Sequence, residues 1–406
     1  MTGHCGVMRI VVVGGGVIGL STAFHLADRN AGQVILVEKG PIGDGSSSRA
    51  GGIITGLMGT ETAVRTRKVS LELFHRFSRE VDGYTFHDVG TLNLAEDQGA
   101  GRVEMLPLYD RLEAPYEILD ADEMRRRWPL MAVPDDAWAL YDPIAGYSEP
   151  DEYVAAMGAH LRKLGVEIRE FEPVLEFPMQ GDRVIGVRTE AETIEADVVV
   201  CASHVWSIRL LEKFGWRMPS KVFVHQRYVS TPVPKPVVLP AVNDHPRHGY
   251  YRPAFGNRVL IGIETPDREE VPPPERETHL SSFSVDPEIR ERELRRLQYV
   301  VPGVAPLSWE IEKVGLLAYS ADGEPILGPV PGVRGLICAG CFHSGGFAYN
   351  PVAGLLAAEW AVDGRTGIDI SAFAPDRFDP QQAREFIDSH ICHADYQHGL
   401  HAGGRH

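Results

Sequence analysis

The chain has 406 residues, of which 44% are hydrophobic and 24% charged, a composition that can bury a large core in more than one domain. A formal net charge of −16 argues against a nucleic-acid partner, because binding to phosphates requires a basic surface. No apolar run approaches the roughly 18 residues of a membrane-spanning helix. The small, odd number of cysteines and the lack of a signal-peptide pattern predict a reducing, cytoplasmic location.

The first forty residues predict a βαβ unit with parallel strands. The β-branched run Ile10–Val13 is followed by a glycine turn, a helical pattern and a second buried-type strand, Val34–Val37. The turn contains the G-x-G-x-x-G pattern, filled by Gly14, Gly16 and Gly19. In this context the pattern predicts a dinucleotide site, with the diphosphate at the helix N-terminus and Glu38 accepting hydrogen bonds from a ribose.

Further elements follow from periodicity and from proline and glycine positions. Helices are predicted at Ala63–Glu80, Glu152–Leu164, Pro287–Tyr299 and Pro351–Val362, the last with Asn350 as cap and Pro351 at its first position. Strands are predicted at Val184–Val187, Asp197–Ala202 and Leu336–Ala339, with short β-runs over residues 222–265. Residues 41–60 and Val271–Pro274 are predicted to be loops, and the last 15 residues a disordered tail.

The glycine motif alone does not distinguish NAD from FAD. The segment Gly43–Gly52 supplies hydroxyls, backbone N–H groups and Arg49 soon after the ribose-binding strand, which favours a second cradle for an extended dinucleotide. The alternative is a mobile Gly/Ser linker. Parts of one nucleotide fold occur at both ends of the chain, so the β-rich middle is predicted to be a second domain inserted into the first.

The chain resembles the D-amino-acid oxidase superfamily of flavoproteins over about residues 9–370. Within that superfamily it is most similar to the branch of sarcosine oxidases, dimethylglycine dehydrogenases and the β subunit of dye-linked L-proline dehydrogenase. The motifs that carry the resemblance are Val11–Gly19, Val37–Lys39, Gly45–Ser48, Gly146-Tyr147, Cys201-Ala202 with Trp206, Asp322–Gly328, Gly340–Phe347, Pro351 and Gly354.

The resemblance implies an α/β fold in which a Rossmann-like FAD-binding domain is interleaved with a mixed β-sheet substrate domain of α+β type. The expected FAD-binding parts are residues 8–85, 145–215 and 318–372, and the substrate domain comprises residues 86–144 and 216–317. Residues 373–406 would form a partly disordered C-terminal extension. The implied cofactor-binding residues are Gly14, Gly16, Val17, Ile18, Gly19, Glu38, Lys39, Gly45, Ser46, Ser47, Arg49, Gly51, Gly52, Val174, Ala202, Trp206, Gly340, His343, Ser344, Gly345, Gly346 and Phe347.

Candidate substrate residues come from the β-rich middle and the glycine-rich return near the C-terminus. A tyrosine hydroxyl or an arginine could bind a carboxylate, and a histidine could take the amine proton before hydride transfer. Each of these side chains could instead have only a structural role. Those assigned to catalysis are His225, Tyr251, Arg252 and His343, and those assigned to substrate binding are Gln226, His248 and Tyr250. No metal site is predicted.

Four positions depart from the family pattern. The segment Val314–Tyr319 lacks the carboxylate-binding arginine of several amino-acid oxidases, and Gly52 replaces the arginine of sarcosine oxidases. Leu316 aligns near a cysteine that attaches flavin covalently, so FAD is expected to bind non-covalently. Leu260 aligns near a lysine that assists the reaction with oxygen, which favours a dehydrogenase or a slow oxidase.

The predicted function is FAD-dependent oxidation of a small amine or amino acid, such as sarcosine, dimethylglycine or proline. A hydride would pass to flavin N5, and the resulting imine would hydrolyse. The electron acceptor could be O2, a quinone or an electron-transfer protein, and a partner subunit or a homo-oligomer is compatible with the sequence. Two alternatives stay open, namely an FAD-dependent 2-hydroxy-acid oxidoreductase and an FAD-binding subunit of a larger dehydrogenase complex.

Overall fold

A computed structural model describes residues 7–95, 103–263, 270–297 and 308–390. The α-helices are α1 (Val17–Asp28), α2 (Glu61–Glu80), α3 (Leu106–Arg111), α4 (Ala121–Arg127), α5 (Pro150–Lys163), α6 (Ser207–Glu212), α7 (Pro287–Leu297), α8 (Gly346–Asp363) and α9 (Pro380–Asp388).

The strands are short except in the middle of the chain. They are β1 (Arg9–Val13), β2 (Gln33–Val37), β3 (Ile53–Ile54), β4 (Phe86–His87), β5 (Thr91–Ala95), β6 (Glu117–Asp120), β7 (Trp138–Asp142), β8 (Gly146–Ser148), β9 (Glu167–Arg169), β10 (Met179–Gln180), β11 (Arg183–Val184), β12 (Gly186–Arg188), β13 (Thr193–Glu195), β14 (Val198–Cys201), β15 (Ser220–Ser230), β16 (Ala241–Asp244), β17 (Gly249–Ala254), β18 (Arg258–Ile263), β19 (Glu270–Val271), β20 (Trp309–Ser320), β21 (Ile326–Pro329) and β22 (Leu336–Gly340).

The N-terminal βαβ unit is the centre of a six-stranded sheet with the order β21-β22-β14-β1-β2-β9. All neighbours in this sheet are parallel except β21, which runs antiparallel to β22. Ile10, Val11 and Val12 of β1 are fully buried because the sheet is covered on both faces. One face packs mainly on α1, α5 and α8, and the other on a separate apolar cluster that includes Val184 and Leu211.

A nine-stranded mixed sheet forms from the middle of the chain. Its order is β19-β15-β18-β17-β16-β5-β7-β6, and β20 also pairs with β15. The long strands β15 and β20 run antiparallel from the pair Ser220/Ser320 to the pair Val229/Ile311. Only β5 and β16 are parallel neighbours among the described strands of this sheet. The two sheets confirm the predicted α/β class with an added mixed β-sheet, whereas the exact domain boundaries stay predictions.

The predicted start of the last large helix is wrong. Helix α8 begins at Gly346, so Pro351 lies inside it rather than at its first position. A proline in a helix leaves the carbonyl four residues earlier without its usual donor. Here that carbonyl belongs to Phe347, and the side-chain Nδ2 of Asn350 donates to it at 2.6 Å. Asn350 therefore compensates for the proline inside the helix instead of capping its end.

Three other predicted elements also differ. The expected strand Val184–Val187 is divided between β11 and β12, which belong to separate hairpins, and Gly186 at the start of β12 has a φ of +155°. Val271 belongs to β19 rather than to a loop, and Ile53–Ile54 form β3 within the predicted loop 41–60. The predicted tail lies outside the described residues, as does Tyr299. None of the helices built from the described ranges combines the length and apolar character needed to cross a lipid bilayer.

Candidate active site

A cavity of about 1390 Å³ extends from the C-terminal edge of the six-stranded sheet to the nine-stranded sheet. Ligands of open α/β sheets bind at this edge, because the loops after parallel strands meet there. Every residue of the predicted cofactor set lines this cavity except Gly19. Whether each one contacts a cofactor stays a prediction.

The glycine turn after β1 leaves no room for a side chain at two of its positions. Gly14 has a φ of +111°, and a Cβ there would lie 2.7 Å from the carbonyl oxygen of Ala202. A Cβ on Gly19 would lie 1.8 Å from the carbonyl oxygen of Gly14, so this glycine permits helix–strand packing rather than lining the cavity. The N–H of Val17 in the first turn of α1 donates to Ser47 Oγ at 3.0 Å. Gly16, Val17 and Ile18 line the cavity at the positive end of α1, which suits a diphosphate.

The carboxylate of Glu38 lies beside this turn at the end of β2. Its Oε2 accepts from Gly15 N at 2.6 Å, and its Oε1 accepts from Gly40 N at 3.0 Å. Burial raises the pKa of Glu38, although both amides and the neighbouring Lys39 oppose that effect. Each carboxylate oxygen can accept more than one hydrogen bond, so the group can also accept from a ribose hydroxyl pair.

The Gly/Ser segment after β2 is held to the nine-stranded sheet. Ser46 Oγ donates to the carbonyl oxygen of Leu316 at 2.7 Å, and Arg227 and Lys313 both donate to the carbonyl oxygen of Ser48, at 2.7 and 3.0 Å. Arg49 folds back to donate to the carbonyl oxygens of its own loop, at Asp44 and Gly45. The segment is therefore a fixed wall of the cavity, as the cradle hypothesis requires.

A segment that we name the cover, residues 273–280, contributes to the lining of the cavity. Lys39 Nζ donates to the carbonyl oxygens of Arg276 and Thr278 at 2.9 and 2.7 Å, and lies 3.9 Å from the centre of the Trp206 ring. Trp206 Nε1 donates to the carbonyl oxygen of Glu275 at 3.1 Å. Two residues of the predicted cofactor set thus hold the cover in place.

The glycine-rich return after β22 forms another part of the lining. His343 has a φ of +43°, an uncommon conformation for a residue with a side chain, and its Nδ1 accepts from Gly345 N at 3.2 Å. Its ring centre lies 6.1 Å from that of Tyr319 and 5.8 Å from that of Tyr349. Helix α8 starts here without a side-chain cap, so its first amides and positive end can stabilise an anionic group.

Two of the predicted substrate residues are hydrogen-bonded to each other across the second sheet. His225 of β15 and Tyr250 of β17 share a hydrogen bond of 2.7 Å between Nε2 and the phenol oxygen, and both line the cavity. The Tyr250 ring passes over Gly51 and Gly262, where added Cβ atoms would lie 2.5 and 1.9 Å from it. These glycines make room for the tyrosine. His248, two residues before Tyr250 in the sequence, also lines the cavity.

The structure places the other three predicted residues of this set away from the cavity lining. Tyr251 points into the core of the nine-stranded sheet and is 1% exposed. Arg252 is fully buried and its guanidinium is paired in bidentate fashion with Glu149, at 2.9 and 3.0 Å. Gln226 Oε1 accepts from the Tyr228 hydroxyl and from the backbone of Asp286. The predictions that Tyr251 and Arg252 act in catalysis and that Gln226 binds substrate gain no support from these positions.

Several lining residues were not singled out by the sequence. Arg67 of α2 is the most informative, because it lies in the buried stripe of its helix with Ala63 and Leu71. That stripe has helical spacing, so an arginine within it was a detectable signal. The other unpredicted polar or aromatic lining residues include Asn93, Asn243, His245, Tyr319, Glu324 and Tyr349.

Neither cysteine chemistry nor a metal centre contributes to the described site. Cys201, Cys338 and Cys341 are buried thiols outside the cavity lining, and burial raises the pKa of Cys341 to about 12. Such thiols are not reactive nucleophiles. Among the described side chains, no three histidine, cysteine, aspartate or glutamate residues are arranged to hold a metal ion.

A βαβ glycine turn, a carboxylate after β2 and a large cavity beneath a mixed sheet define a dinucleotide-dependent enzyme of the flavoprotein type. Comparison with known proteins gives the family. Residues 9–360 match the FAD dependent oxidoreductase family (DAO), and the chain belongs to that family. FAD is the cofactor that this membership implies, and the turn, Glu38 and the Gly/Ser cradle fit it.

Named relatives are similar over most of this chain. The 4-methylaminobutanoate oxidase (formaldehyde-forming) of Paenarthrobacter nicotinovorans is 31% identical over 92% of this chain, but the match spans only 46% of that relative. The glycine oxidase of Geobacillus kaustophilus is 26% identical, covering 90% of this chain and 96% of the relative. The chain thus spans about half the length of the first of these relatives and nearly all of the second.

A solved structure shows the same fold. The L-proline dehydrogenase from P. horikoshii superposes with a TM-score of 0.84 at 24% identity, covering 92% of this chain and 98% of that one. The likeness confirms the interleaved architecture expected from the sequence.

Proposed function

We propose that the chain oxidises a small secondary or N-methyl amine, or an imino acid, with non-covalently bound FAD. Candidate substrates are sarcosine, dimethylglycine and proline, together with 4-methylaminobutanoate, which the 31% identical relative is named for oxidising. The observation that carries the proposal is the hydrogen-bonded pair of His225 and Tyr250, in a cavity that also contains the dinucleotide-binding turn.

The pair supplies the acid–base chemistry that amine oxidation requires. An amine is protonated at neutral pH, and its nitrogen lone pair becomes available only after a proton leaves. The imidazole of His225 can take that proton, and the Tyr250 hydroxyl orients the ring and can pass the proton on. Bound FAD supplies the acceptor for the hydride that leaves the adjacent C–H bond.

Loss of the hydride from the neutral amine leaves an iminium ion, and water hydrolyses it to a carbonyl compound and an amine. The chain positions the substrate and excludes bulk water during the transfer, because the reacting atoms must lie within about 3.5 Å of each other. Residues of both sheets and of the cover line the cavity, and Lys39 holds the cover by two hydrogen bonds. No covalent intermediate with the protein is needed.

Non-covalent attachment of FAD is supported by the lining. Leu316 aligns near the cysteine that attaches flavin covalently in a relative. None of the described cysteines lines the cavity. Denaturation in acid should therefore release all of the flavin into the supernatant. The electron acceptor, the cellular location and any partner subunit stay predictions, and Leu260 favours an acceptor other than O2.

Anaerobic titration of the FAD-loaded chain tests the proposal. The flavin absorbance is followed with sarcosine, dimethylglycine, proline, 4-methylaminobutanoate, glycine, D-amino acids, lactate and glycolate. Bleaching by one or more of the secondary or N-methylated amines supports the proposal. Bleaching by the hydroxy acids alone, or by none of these compounds, overturns it.

A further inference from the structure

We propose that Arg67 is the binding site for the carboxylate of the substrate, so that the enzyme selects amines that carry an acid group. The inference rests on the proposed function, because it concerns the same cavity. The family pattern gave no candidate for this role, because the segment Val314–Tyr319 lacks the arginine of several amino-acid oxidases and Gly52 replaces the arginine of sarcosine oxidases. Arg67 instead enters the cavity from helix α2.

Arg67 is 4% exposed, yet it lines the cavity. Among the described residues its Nε has no hydrogen-bond partner, and the nearest recorded acceptor is the carbonyl oxygen of Gly345, 3.5 Å from Nη1. A guanidinium has five N–H donors in a planar fork. A buried fork with so few acceptors is unfavourable unless an anion or other acceptor completes it.

The other cationic side chains of the described lining already have partners. Lys39 donates to the cover, and Arg49 donates to its own loop. Arg209 pairs with Glu275, Arg276 pairs with Glu277, and Lys213 donates to the carbonyl oxygen of Leu175. Arg252, which the sequence suggested as the carboxylate ligand, is paired with Glu149 outside the lining.

The surroundings of Arg67 keep it charged and oriented. Burial lowers its pKa to about 10, which leaves the guanidinium charged at neutral pH, and Tyr349 and Asp142 act in the opposite direction. The Tyr349 ring lies 4.5 Å from the guanidinium carbon, so the aromatic face fixes the plane of the fork. Asp142 balances part of the charge of Arg67 without a described ion pair between them. Its Oδ2 accepts hydrogen bonds from Gly56 N and Thr55 Oγ1.

The position suits a substrate held at two points. The guanidinium adjoins Gly345, one residue before helix α8 begins, while the proton-accepting pair of His225 and Tyr250 belongs to the nine-stranded sheet. A bidentate guanidinium–carboxylate contact fixes both the distance and the orientation of the bound molecule. The amine of the substrate can then reach the acid–base pair from a defined direction.

The experiment compares amines that differ only in the acid group: proline with pyrrolidine, sarcosine with dimethylamine, and 4-methylaminobutanoate with N-methylpropylamine. We expect the acid of at least one pair to reduce the flavin at a concentration at least about 100-fold lower than its partner. Arg67→Met keeps an unbranched apolar stem and removes the charged fork, so it should abolish most of that preference. Arg65→Met on the same helix is the matched control, because Arg65 is half exposed, pairs with Glu61 and does not line the cavity.

A second measurement does not depend on turnover. Acetate and the neutral acetamide are titrated into the oxidised, FAD-loaded protein while the flavin spectrum and the melting temperature are followed. Acetate should bind to wild type and to Arg65→Met but at least about 10-fold more weakly to Arg67→Met, and acetamide should bind weakly to all three. Acetate binding that is unchanged in Arg67→Met overturns the assignment.

Other results separate this inference from the function on which it rests. If Arg67→Met weakens the acids and the acid-free amines equally, Arg67 serves the fold or the cofactor and the assignment fails. If Arg67→Met does not retain FAD, Arg67→Lys is used, and a loss confined to the acids supports the assignment whereas an equal loss overturns it. If no amine bleaches wild type while acetate binding depends on Arg67, the proposed function fails and the anion site stands.

Discussion

Tyr250 and Tyr251 are neighbours in β17, but they lie on opposite faces of the nine-stranded sheet. The hydroxyl of Tyr250 lies 2.7 Å from His225 Nε2 and faces the cavity, whereas Tyr251 is buried in the core and its hydroxyl has no hydrogen-bond partner among the described residues. Two chemically identical side chains at adjacent positions therefore provide an internal comparison for the proposed acid–base pair.

Replacing Tyr250 with phenylalanine should lower kcat/KM for the best amine about 10-fold to 100-fold, because His225 loses the hydroxyl that orients it. The acid limb of the pH profile should also shift, whereas FAD content should not change. Stopped-flow reduction of the flavin as a function of pH measures both effects. Tyr251→Phe removes a buried hydroxyl without a described partner, so it should leave the rate and the profile unchanged. Equal effects of the two substitutions would contradict the role given to Tyr250.

The sequence could not make this distinction. Side chains alternate between the two faces of a strand. The strand Gly249–Ala254 has one tyrosine on each face, so its sequence does not reveal which face packs on the core. Arg252 is two residues after Tyr250 and so shares its face of the strand. Only the fold brings Glu149 close enough to form an ion pair with the Arg252 guanidinium. Residues that meet across 103 positions of sequence are not predictable from one chain.

The cofactor turn was predictable because its parts are contiguous. Gly14–Gly19 and Glu38 belong to one βαβ unit, and the steric demands on each glycine follow from local geometry. The start of helix α8 was not, because a proline usually marks a first turn, and the compensating bond from Asn350 to the Phe347 carbonyl is a detail of side-chain placement. Arg67 is one of many charged residues of α2, but it alone among them lies in the apolar stripe that helical spacing defines.

The buried ion pair of Arg252 and Glu149 should be important for stability. Arg252 also donates from Nε to the carbonyl oxygen of Gly51 at 2.6 Å, so it connects β17 to the wall of the cofactor cradle. Arg252→Met leaves the carboxylate of Glu149 without its partner, and we expect a loss of about 3–5 kcal/mol in the free energy of unfolding. Denaturant unfolding of the FAD-loaded protein measures it. Arg258→Met, which breaks a more exposed pair with Glu310, should cost about 1 kcal/mol or less.

The same pair predicts a pH dependence of stability. Burial raises the pKa of Glu149, but the charge and hydrogen bonds of Arg252 outweigh burial and hold the pKa below its ordinary value. The contribution of the pair is therefore present above the ordinary pKa of glutamate and is lost as the pH falls below it. Wild type should lose this part of its stability on acidification, whereas Glu149→Gln should not. A parallel decline in both proteins would show that other groups control the acid transition.

Glu38 should make FAD retention sensitive to acid. Because burial raises the pKa of Glu38 in the cofactor-free chain, this carboxylate takes up a proton at a higher pH than an ordinary glutamate. A protonated carboxyl loses acceptor capacity toward the ribose, so the affinity for FAD should fall as the pH is lowered through that raised pKa. Flavin fluorescence, which increases on release, measures the dissociation constant at each pH. Glu38→Gln should weaken binding about 10-fold at neutral pH and flatten the pH dependence.

The control for Glu38 is Glu170→Gln. Glu170 also accepts from a backbone amide, that of Ile42 at 2.9 Å, but it does not line the cavity. Its substitution should leave both the affinity and its pH dependence as in wild type. A Glu38→Gln variant that binds FAD with the wild-type pH dependence would show that another group controls the loss of affinity at low pH.

The hydrogen bonds that Lys39 makes to the cover should slow the release of FAD. Burial lowers the pKa of Lys39, but Glu38, Glu277 and Asp44 favour its charged form. The ammonium binds two carbonyl oxygens of residues 273–280, and hydrogen bonds from a charged donor are about twice as strong as neutral ones. Lys39→Met removes both bonds and should open the cover, so that FAD dissociates at least about 10-fold faster.

Mixing the FAD-loaded protein with excess apoprotein of a flavin acceptor, and following fluorescence, gives the release rate. Limited proteolysis should show faster cleavage within residues 273–280 of Lys39→Met, because the segment loses contacts that protect its backbone. Lys163→Met is the matched control, since Lys163 is 62% exposed and pairs with Asp82 far from the lining. If Lys39→Met releases FAD at the wild-type rate while the cover is cleaved faster, the cover does not gate the cofactor, and the exit lies at another part of the cavity.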